Sequence, residues 1–336
     1  MTSQPQRPAF GTVLTSHMAV ATYQGGHWSP SELKPVAPIE LSPAAHVLHY
    51  ASSCFEGFKA FRRRTDGSIH IFRMDRHIQR MRQSARQLVL PEPDAAQLAD
   101  MVRSVIKHCR DAVPEAPGAL YVRPILFGTT ANIGAAATPA AEASLIVLAS
   151  PVWDYFSGGM KPLRILVDEE NTRSAAQMGM VKTGGNYAAA LGPTLSARAK
   201  YQVDQVLFCP GGKVQETGAA NFVLIRDGEL LTRGLDSTFL HGVTRDSLLT
   251  MARDLGYKIS ERVFDVGEML EWVKTGEAAL SGTAAVLAGV GTLIYHGDQH
   301  RVAGGAVGPL TRALRDQLVA IQQGVEPDYH GWLQAV

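Results

Sequence analysis

The sequence predicts an α/β (α+β) protein built from two domains, and three observations predict it. At 336 residues the chain is longer than most single hydrophobic cores. Its second half alternates short apolar runs with amphipathic stretches, the pattern of strands exchanging with helices. Between the halves, Ser150 to Pro162 combines prolines near both ends, a Gly158-Gly159 pair and three aromatics, the composition of an interdomain connection. The expected boundaries are 1–153 for an N-terminal domain, 154–165 for a linker and 166–336 for a larger C-terminal domain.

The elements follow in order. Residues 1–45 are rich in proline and turn residues and suggest no long helix. Ser68 to Phe72 alternates after an Asp66-Gly67 turn and reads as a strand. Asp75 to Leu88 carries Ile78, Met81, Ala85 and Leu88 at helical spacing, and Pro91 and Pro93 end it. Asp94 to Val113 reads as a second amphipathic helix, then Leu120–Phe127 and Ala143–Ala149 as strands. Beyond the connection, strands are expected at Leu163–Val167, Gln205–Cys209, Phe222–Ile225, Tyr257–Val263 and Ala278–Ser281. Helices are expected at Asn186–Tyr201, Thr244–Leu255, Asp265–Val273 and Pro309–Gln323. Generic packing rules turn such alternation into a doubly wound parallel sheet.

Composition excludes several function classes. The formal net charge is +1, so bulk electrostatics give no case for nucleic acid or an anionic membrane. The three cysteines, Cys54, Cys109 and Cys209, lie far apart with no C-x-x-C pair, which supports neither a disulfide framework nor a metal site and fits a reducing cytosol. Met1 to Phe10 lacks the apolar segment of a signal peptide, making the cytoplasm the default location. Ala278 to Tyr295 has no charged residue and approaches the length of a membrane span. Its glycines and hydroxyls argue instead for strand, small-residue turn, strand.

Chemistry concentrates in a few stretches. In Val181-Lys182-Thr183-Gly184-Gly185-Asn186-Tyr187 a lysine precedes two glycines and follows apolar residues. Glycines allow close backbone approach by a ligand, and apolar surroundings favour the nucleophilic amine that a Schiff-base lysine needs. The plain alternative is a loop lysine at a turn. His241-Gly242-Val243-Thr244 opens a helix with Thr244 as expected N-cap, which is either simple capping or an anion site. Ser281-Gly282-Thr283-Ala284-Ala285 is a tight turn or a second anion cradle. Glu216 is either a strand-end carboxylate or the partner of a pyridine nitrogen. Arg80 lies on the first helix, where most arginines are solvated. Arg123, in the apolar strand Tyr121-Val122-Arg123-Pro124, needs either a buried ion-pair partner or a ligand carboxylate.

Taken together these residues resemble the branched-chain-amino-acid aminotransferases, pyridoxal-phosphate enzymes of fold type IV. The matching pieces are Leu48-His49-Tyr50 with Phe55-Glu56-Gly57, Phe72-Arg73 with Arg80, Tyr121 to Pro124, Lys182 to Tyr187, Glu216-Thr217-Gly218 with Asn221, Leu240 to Asp246, and Ser281 to Ala285. They occur in family order across nearly the whole chain. The resemblance replaces the doubly wound sheet with a small α/β N-terminal domain and a larger, mixed, barrel-like C-terminal domain. It implies pyridoxal 5'-phosphate on Lys182, which also moves the substrate proton. It implies Glu216 at the pyridine nitrogen, Tyr187 at the phenolic oxygen, and Arg80, Leu240, Val243, Thr244 and Thr283 around the rest of the cofactor and its phosphate. Tyr121, Thr283 and Ala284 would receive the substrate α-carboxylate. Phe10, Tyr50, Phe55, Ile133, Ala135, Trp153 and Tyr155 would line an apolar pocket, some donated by a second subunit of a homodimer. Arg123 would meet the distal carboxylate of glutamate or 2-oxoglutarate.

The reaction implied is reversible amino transfer between L-leucine, L-isoleucine or L-valine and 2-oxoglutarate. A D-amino-acid aminotransferase or aminodeoxychorismate lyase is the alternative within the fold, though those relatives are generally shorter and lack this form of the Tyr121–Pro124 motif. A non-catalytic binder would need neither Lys182 nor Glu216. Where mammalian members carry a C-x-x-C pair, this chain has Val286-Leu287-Ala288-Gly289, which argues against thiol regulation of that kind.

Overall fold

The computed structural model describes residues 8–153 and 159–336. In chain order the strands and helices are β1 (His17–Gln24), β2 (His27–Trp28), β3 (Glu32–Pro35), α1 (His46–Tyr50), β4 (Ser53–Phe55), β5 (Phe58–Arg62), β6 (Ile69–Phe72), α2 (Met74–Gln87), α3 (Ala95–His108), β7 (Ala119–Gly128) and β8 (Ala143–Val152). There follow β9 (Leu163–Asp168), α4 (Gly184–Tyr201), β10 (Gln205–Phe208), β11 (Asn221–Arg226), β12 (Glu229–Thr232), α5 (Val243–Asp254), β13 (Lys258–Glu261), α6 (Val266–Trp272), β14 (Glu277–Gly282), β15 (Val286–Tyr295), β16 (Asp298–Arg301), α7 (Pro309–Gln322) and β17 (Leu333–Ala335).

Two compact units result. Among the described residues the first comprises 8–153, Lys182–Gly184 and Ile321–Val336, and the second comprises 159–181 and 185–320. Two segments of the expected 166–336 domain lie in the first unit. The last strand, β17, pairs antiparallel with β6, so the tail joins the first unit. Lys182 joins it as well, through backbone hydrogen bonds to β4 and α2.

The first unit is a nine-stranded sheet with the main path β17-β6-β5-β7-β8-β1-β2. Helices α2 and α3 cover one face. Met81, Ala85, Leu98, Met101, Val102, Val105 and Ile106 pack there with Phe58, Leu120, Val122, Leu145 and Val147. Each of these helical residues is completely buried, and burying a side chain of the Leu or Met size stabilises by about 1.5–3 kcal/mol. Side chains alternate along a strand, so Leu120 and Val122 face the helices while Tyr121, Arg123, Ile125 and Phe127 take the other side of β7. Strands β1 to β3 were not legible in the proline-rich start of the chain. They form because Met18, Ala19 and Ala21 bury against the sheet.

The second unit is an eight-stranded mixed sheet, β10-β9-β15-β14-β11-β12-β13 with β16 beside β15. The parallel doubly wound arrangement is therefore corrected, and connection length explains why. Two residues, Asp227 and Gly228, link β11 to β12, and so short a link forces an antiparallel pair. The turn Thr283–Ala285 does the same for β14 and β15. Parallel pairing occurs between β9 and β10 and between β12 and β13, where α4 and α5 provide crossovers, and between β9 and β15. The uncharged stretch from Ala278 is thus a hairpin. Among the described residues no helix is long and apolar enough to cross a membrane.

Candidate active site

Helix α2 organises the charged groups of the first unit. His77, Arg80, Met81 and Ser84 recur at helical spacing, and all four are buried. The carboxylate of Glu56, in the break between β4 and β5, is wholly buried and meets that face. It accepts from Arg80 Nε at 2.6 Å and Arg80 Nη2 at 2.9 Å, lies 2.7 Å from His77 Nδ1, and accepts from the Gly57 N–H at 3.1 Å. Burial alone would raise the Glu56 carboxyl; the charge of Arg80, then His77 and the hydrogen bonds from both, outweigh it and hold the carboxyl far below the usual range. Burial lowers His77, and the Glu56 charge only partly opposes that. Arg80 is therefore not a solvated helix arginine. A carboxylate clamps two of its nitrogens and sets its direction.

Lys182 sits in the same unit. Its backbone N–H donates to Ser84 Oγ at 3.0 Å, and its carbonyl accepts from the Phe55 N–H at 3.0 Å. Its Nζ lies 5.0 Å from the Phe55 ring centroid. The guanidinium of Arg123 is 4.6 Å from the same ring and 5.2 Å from that of Tyr121, and its Nη2 donates to Tyr121 Oη at 2.8 Å. Arg123 has no ion-pair partner among the described residues, and its buried Nε has no hydrogen-bond partner there, so the buried-pair explanation fails. Phe10 closes the cluster, its ring 4.9 Å from that of Tyr121. Gly57 must be glycine, because a Cβ there would lie 1.8 Å from Tyr121 Oη.

Phe10, Phe55, Tyr121, Arg123 and Lys182 are thus brought together. Tyr50 and Ile133 form a separate pair, with Tyr50 Oη donating to the Ile133 carbonyl at 2.5 Å. Ile133 is 69% exposed, while Ala135 is buried nearby on the same loop. Trp153 is half-buried just after β8. Tyr155 lies outside the described residues.

In the second unit Glu216, 2% exposed, is the centre. Arg173 Nη1 stands 2.7 Å away, Asn221 Nδ2 donates at 3.0 Å and the Leu240 N–H at 2.9 Å. Asn221 also donates to the Leu240 carbonyl at 2.8 Å, which ties Leu240 to Glu216 twice. The Arg173 guanidinium lies 5.6 Å from the Tyr187 ring centroid. At α5 the N-cap is Gly242, with no side-chain cap, so the expectation that Thr244 caps the helix is corrected. Thr244 is the second helical residue, where backbone N–H groups lack intrahelical acceptors. Gly242 leaves no room for a side chain, since a Cβ would meet Asn221 Oδ1 at 2.0 Å. Thr283 and Ala284 lie in the β14–β15 turn, preceded by Ser281, whose buried Oγ has no partner among the described residues.

Five residues of these networks were given no role from sequence: His77, Ser84, Glu56, Arg173 and Asn221. A buried serine and histidine on the apolar face of α2 are the signal that could have exposed the first two. Arg173 lies in an irregular stretch with no signal.

A model of the amino-transferase class IV family matches residues 53–292. The chain belongs to that family. It is 39% identical to the probable branched-chain-amino-acid aminotransferase of Streptomyces coelicolor, over 98% of this chain and 92% of that one. The branched-chain-amino-acid aminotransferase of Mycobacterium tuberculosis is also 39% identical, over 98% of this chain and 93% of its own. Among solved structures, the Thermobaculum terrenum enzyme of that name, in its PLP-form, superposes with a TM-score of 0.77 at 22% identity, covering 96% of this chain and 98% of that one. The architecture is fold type IV.

Proposed function

We propose that this protein is a pyridoxal-phosphate-dependent branched-chain-amino-acid aminotransferase, moving an amino group reversibly between L-leucine, L-isoleucine or L-valine and 2-oxoglutarate. Full-length likeness to relatives of that name supports the reaction class. The structural observation that carries the reading is Glu216, a buried carboxylate oriented by an arginine, an amide and a backbone N–H. So placed, it suits a ring nitrogen kept protonated. The remaining donors fit the same group. Ser281 Oγ lacks a partner among the described residues and stands across the strand ladder from Asn221.

When bound, pyridoxal phosphate supplies an aldehyde that takes up amines and a ring that withdraws electrons from the substrate Cα. Lys182 would be the amine that anchors it and moves the proton taken from that carbon. Tyr187 would hold the phenolic oxygen. Arg80, Val243, Thr244 and Thr283 would hold the phosphate; Leu240 fixes Glu216. Tyr121 and the backbone of Thr283 and Ala284 would receive the α-carboxylate.

Phe10 and Phe55 begin an apolar wall beside Tyr121, which Tyr50, Ile133, Ala135 and Trp153 would extend. Arg123 gives that wall one charged edge, because its guanidinium rests on Phe55 and is held by Tyr121. A leucine side chain touches the rings, whereas glutamate is long enough to reach the arginine. A second copy in a homodimer would donate part of that wall.

A panel of L- and D-amino acids with 2-oxoglutarate tests the reading. Turnover of the L branched-chain acids is expected; a preference for D-acids would move the protein to the alternative named above. Lys182→Ala should abolish turnover, and activity within about tenfold of wild type, or ~1.4 kcal/mol, would remove the lysine from the mechanism.

A further inference from the structure

The reactive lysine lies on an irregular segment, yet both of its peptide groups are gripped. The N–H is held by a helix, through Ser84 Oγ at 3.0 Å, and the carbonyl by the Phe55 N–H of β4, at 3.0 Å. Ser84 is completely buried and lies 98 residues from its partner in sequence. A serine in mid-helix more often points to water or returns its hydroxyl to the preceding turn. Here its oxygen accepts from one chosen backbone position, and that position is 182. Ser84 also stands one helical turn after Arg80, so both lie on the same face of α2. That face is locked in turn by Glu56, which binds Arg80 and His77 together.

We propose that Ser84 is a positioning residue for Lys182: by holding the residue 182 N–H it sets where the amine stands over Phe55 and registers the lysine against Arg80 through one rigid helix. The inference rests on the reading that Lys182 is the reactive amine. A misplaced amine slows the proton movement far more than it weakens substrate binding, so a positioning role and a merely structural one make different predictions.

The test is Ser84→Ala, which removes the acceptor without adding bulk to a buried site, with Ser84→Cys as a second variant retaining a weak acceptor. In protein stripped of cofactor, hydrogen exchange at the Lys182 amide should rise by about tenfold or more in Ser84→Ala. In protein loaded with pyridoxal phosphate, kcat should fall by about tenfold to a hundredfold while KM stays within about threefold. The pH midpoint of the visible absorbance should move by about half a unit or more. Ser84→Cys should lie between wild type and Ser84→Ala on all three readouts. Wild-type exchange at residue 182 in Ser84→Ala would overturn the proposal, as would an unchanged kcat and midpoint, whatever the melting temperature did. The exchange measurement needs no cofactor. A wild-type protein that gains no visible absorbance would therefore sink the proposed function, while the exchange result still decides whether Ser84 holds residue 182.

Discussion

Two buried carboxylate–arginine pairs stand at the heart of this molecule, one in each unit. They are built differently. Glu56 meets Arg80 and His77 from successive turns of one helix, and its neighbour Gly57 supplies a backbone N–H. Glu216 draws Arg173 from an irregular stretch, Asn221 from the start of β11 and Leu240 from the approach to α5. The first pair fixes the direction of a helix face. The second assembles three distant segments around one carboxylate. The contrast separates a carboxylate used as scaffold from one proposed to act on a cofactor.

Changing each glutamate to glutamine is the sharpest way to break that contrast. In Glu56→Gln the new amide must face either Arg80 or the Gly57 N–H, so donors oppose donors in a wholly buried site. Disturbing a buried pair in this way costs about 3–5 kcal/mol, and melting should drop by roughly 10 °C. In Glu216→Gln one oxygen still serves Arg173 and Leu240, and the new amide opposes a donor only at Asn221. Melting should fall less, but turnover should fall about 10²–10³-fold, or ~3–4 kcal/mol, the scale of a lost electrostatic contact to the reacting group. Thermal melts and single-substrate kinetics on both variants decide it. The reverse pattern would end the distinction.

The two regions were also unequally legible in sequence. The periodicity of Ile78, Met81 and Ala85 marks α2 and its buried face, and only the role of the polar residues on that face escaped. Glu56 needed a fold to show that a strand break aims its side chain at a helix. Arg173 follows Asn171 and Thr172 with no periodic pattern around it, so nothing local distinguishes it from a solvated loop arginine. Strand order was hidden for a related reason. Alternating elements specify a parallel sheet only when each connection is long, and here the short links at Asp227-Gly228 and Thr283–Ala285 decide otherwise.

A smaller effect sharpens the first unit further. Arg123→Ala leaves Phe55 and Tyr121 as an apolar wall without its charged edge. The kcat/KM for glutamate should fall by about ten- to a hundredfold, or ~1.4–2.8 kcal/mol, with leucine within about threefold. Equal losses would mean that Arg123 supports the rings rather than reading a distal carboxylate.

The smallest effect is a pH signature, and it bears on the Glu56 pair, whose carboxylate lies 2.7 Å from His77 Nδ1. His77 is lowered from its ordinary 6.5, first by burial. A group whose folded value is depressed contributes stability that is intact above its unfolded value and is lost as pH falls toward the folded one. His77 should therefore begin to destabilise the fold as pH drops below about 6.5. Glu56, depressed from an ordinary 4.5, should add its own loss only below about 4.5. Wild-type melting temperature should accordingly fall in two stages on acidification. His77→Asn should remove the upper stage and leave the lower, at some loss of packing against Phe58, whose ring centroid is 5.0 Å from that of the imidazole. An upper stage that survives in His77→Asn would assign it to another group and detach the imidazole from the acid response of the Glu56 pair.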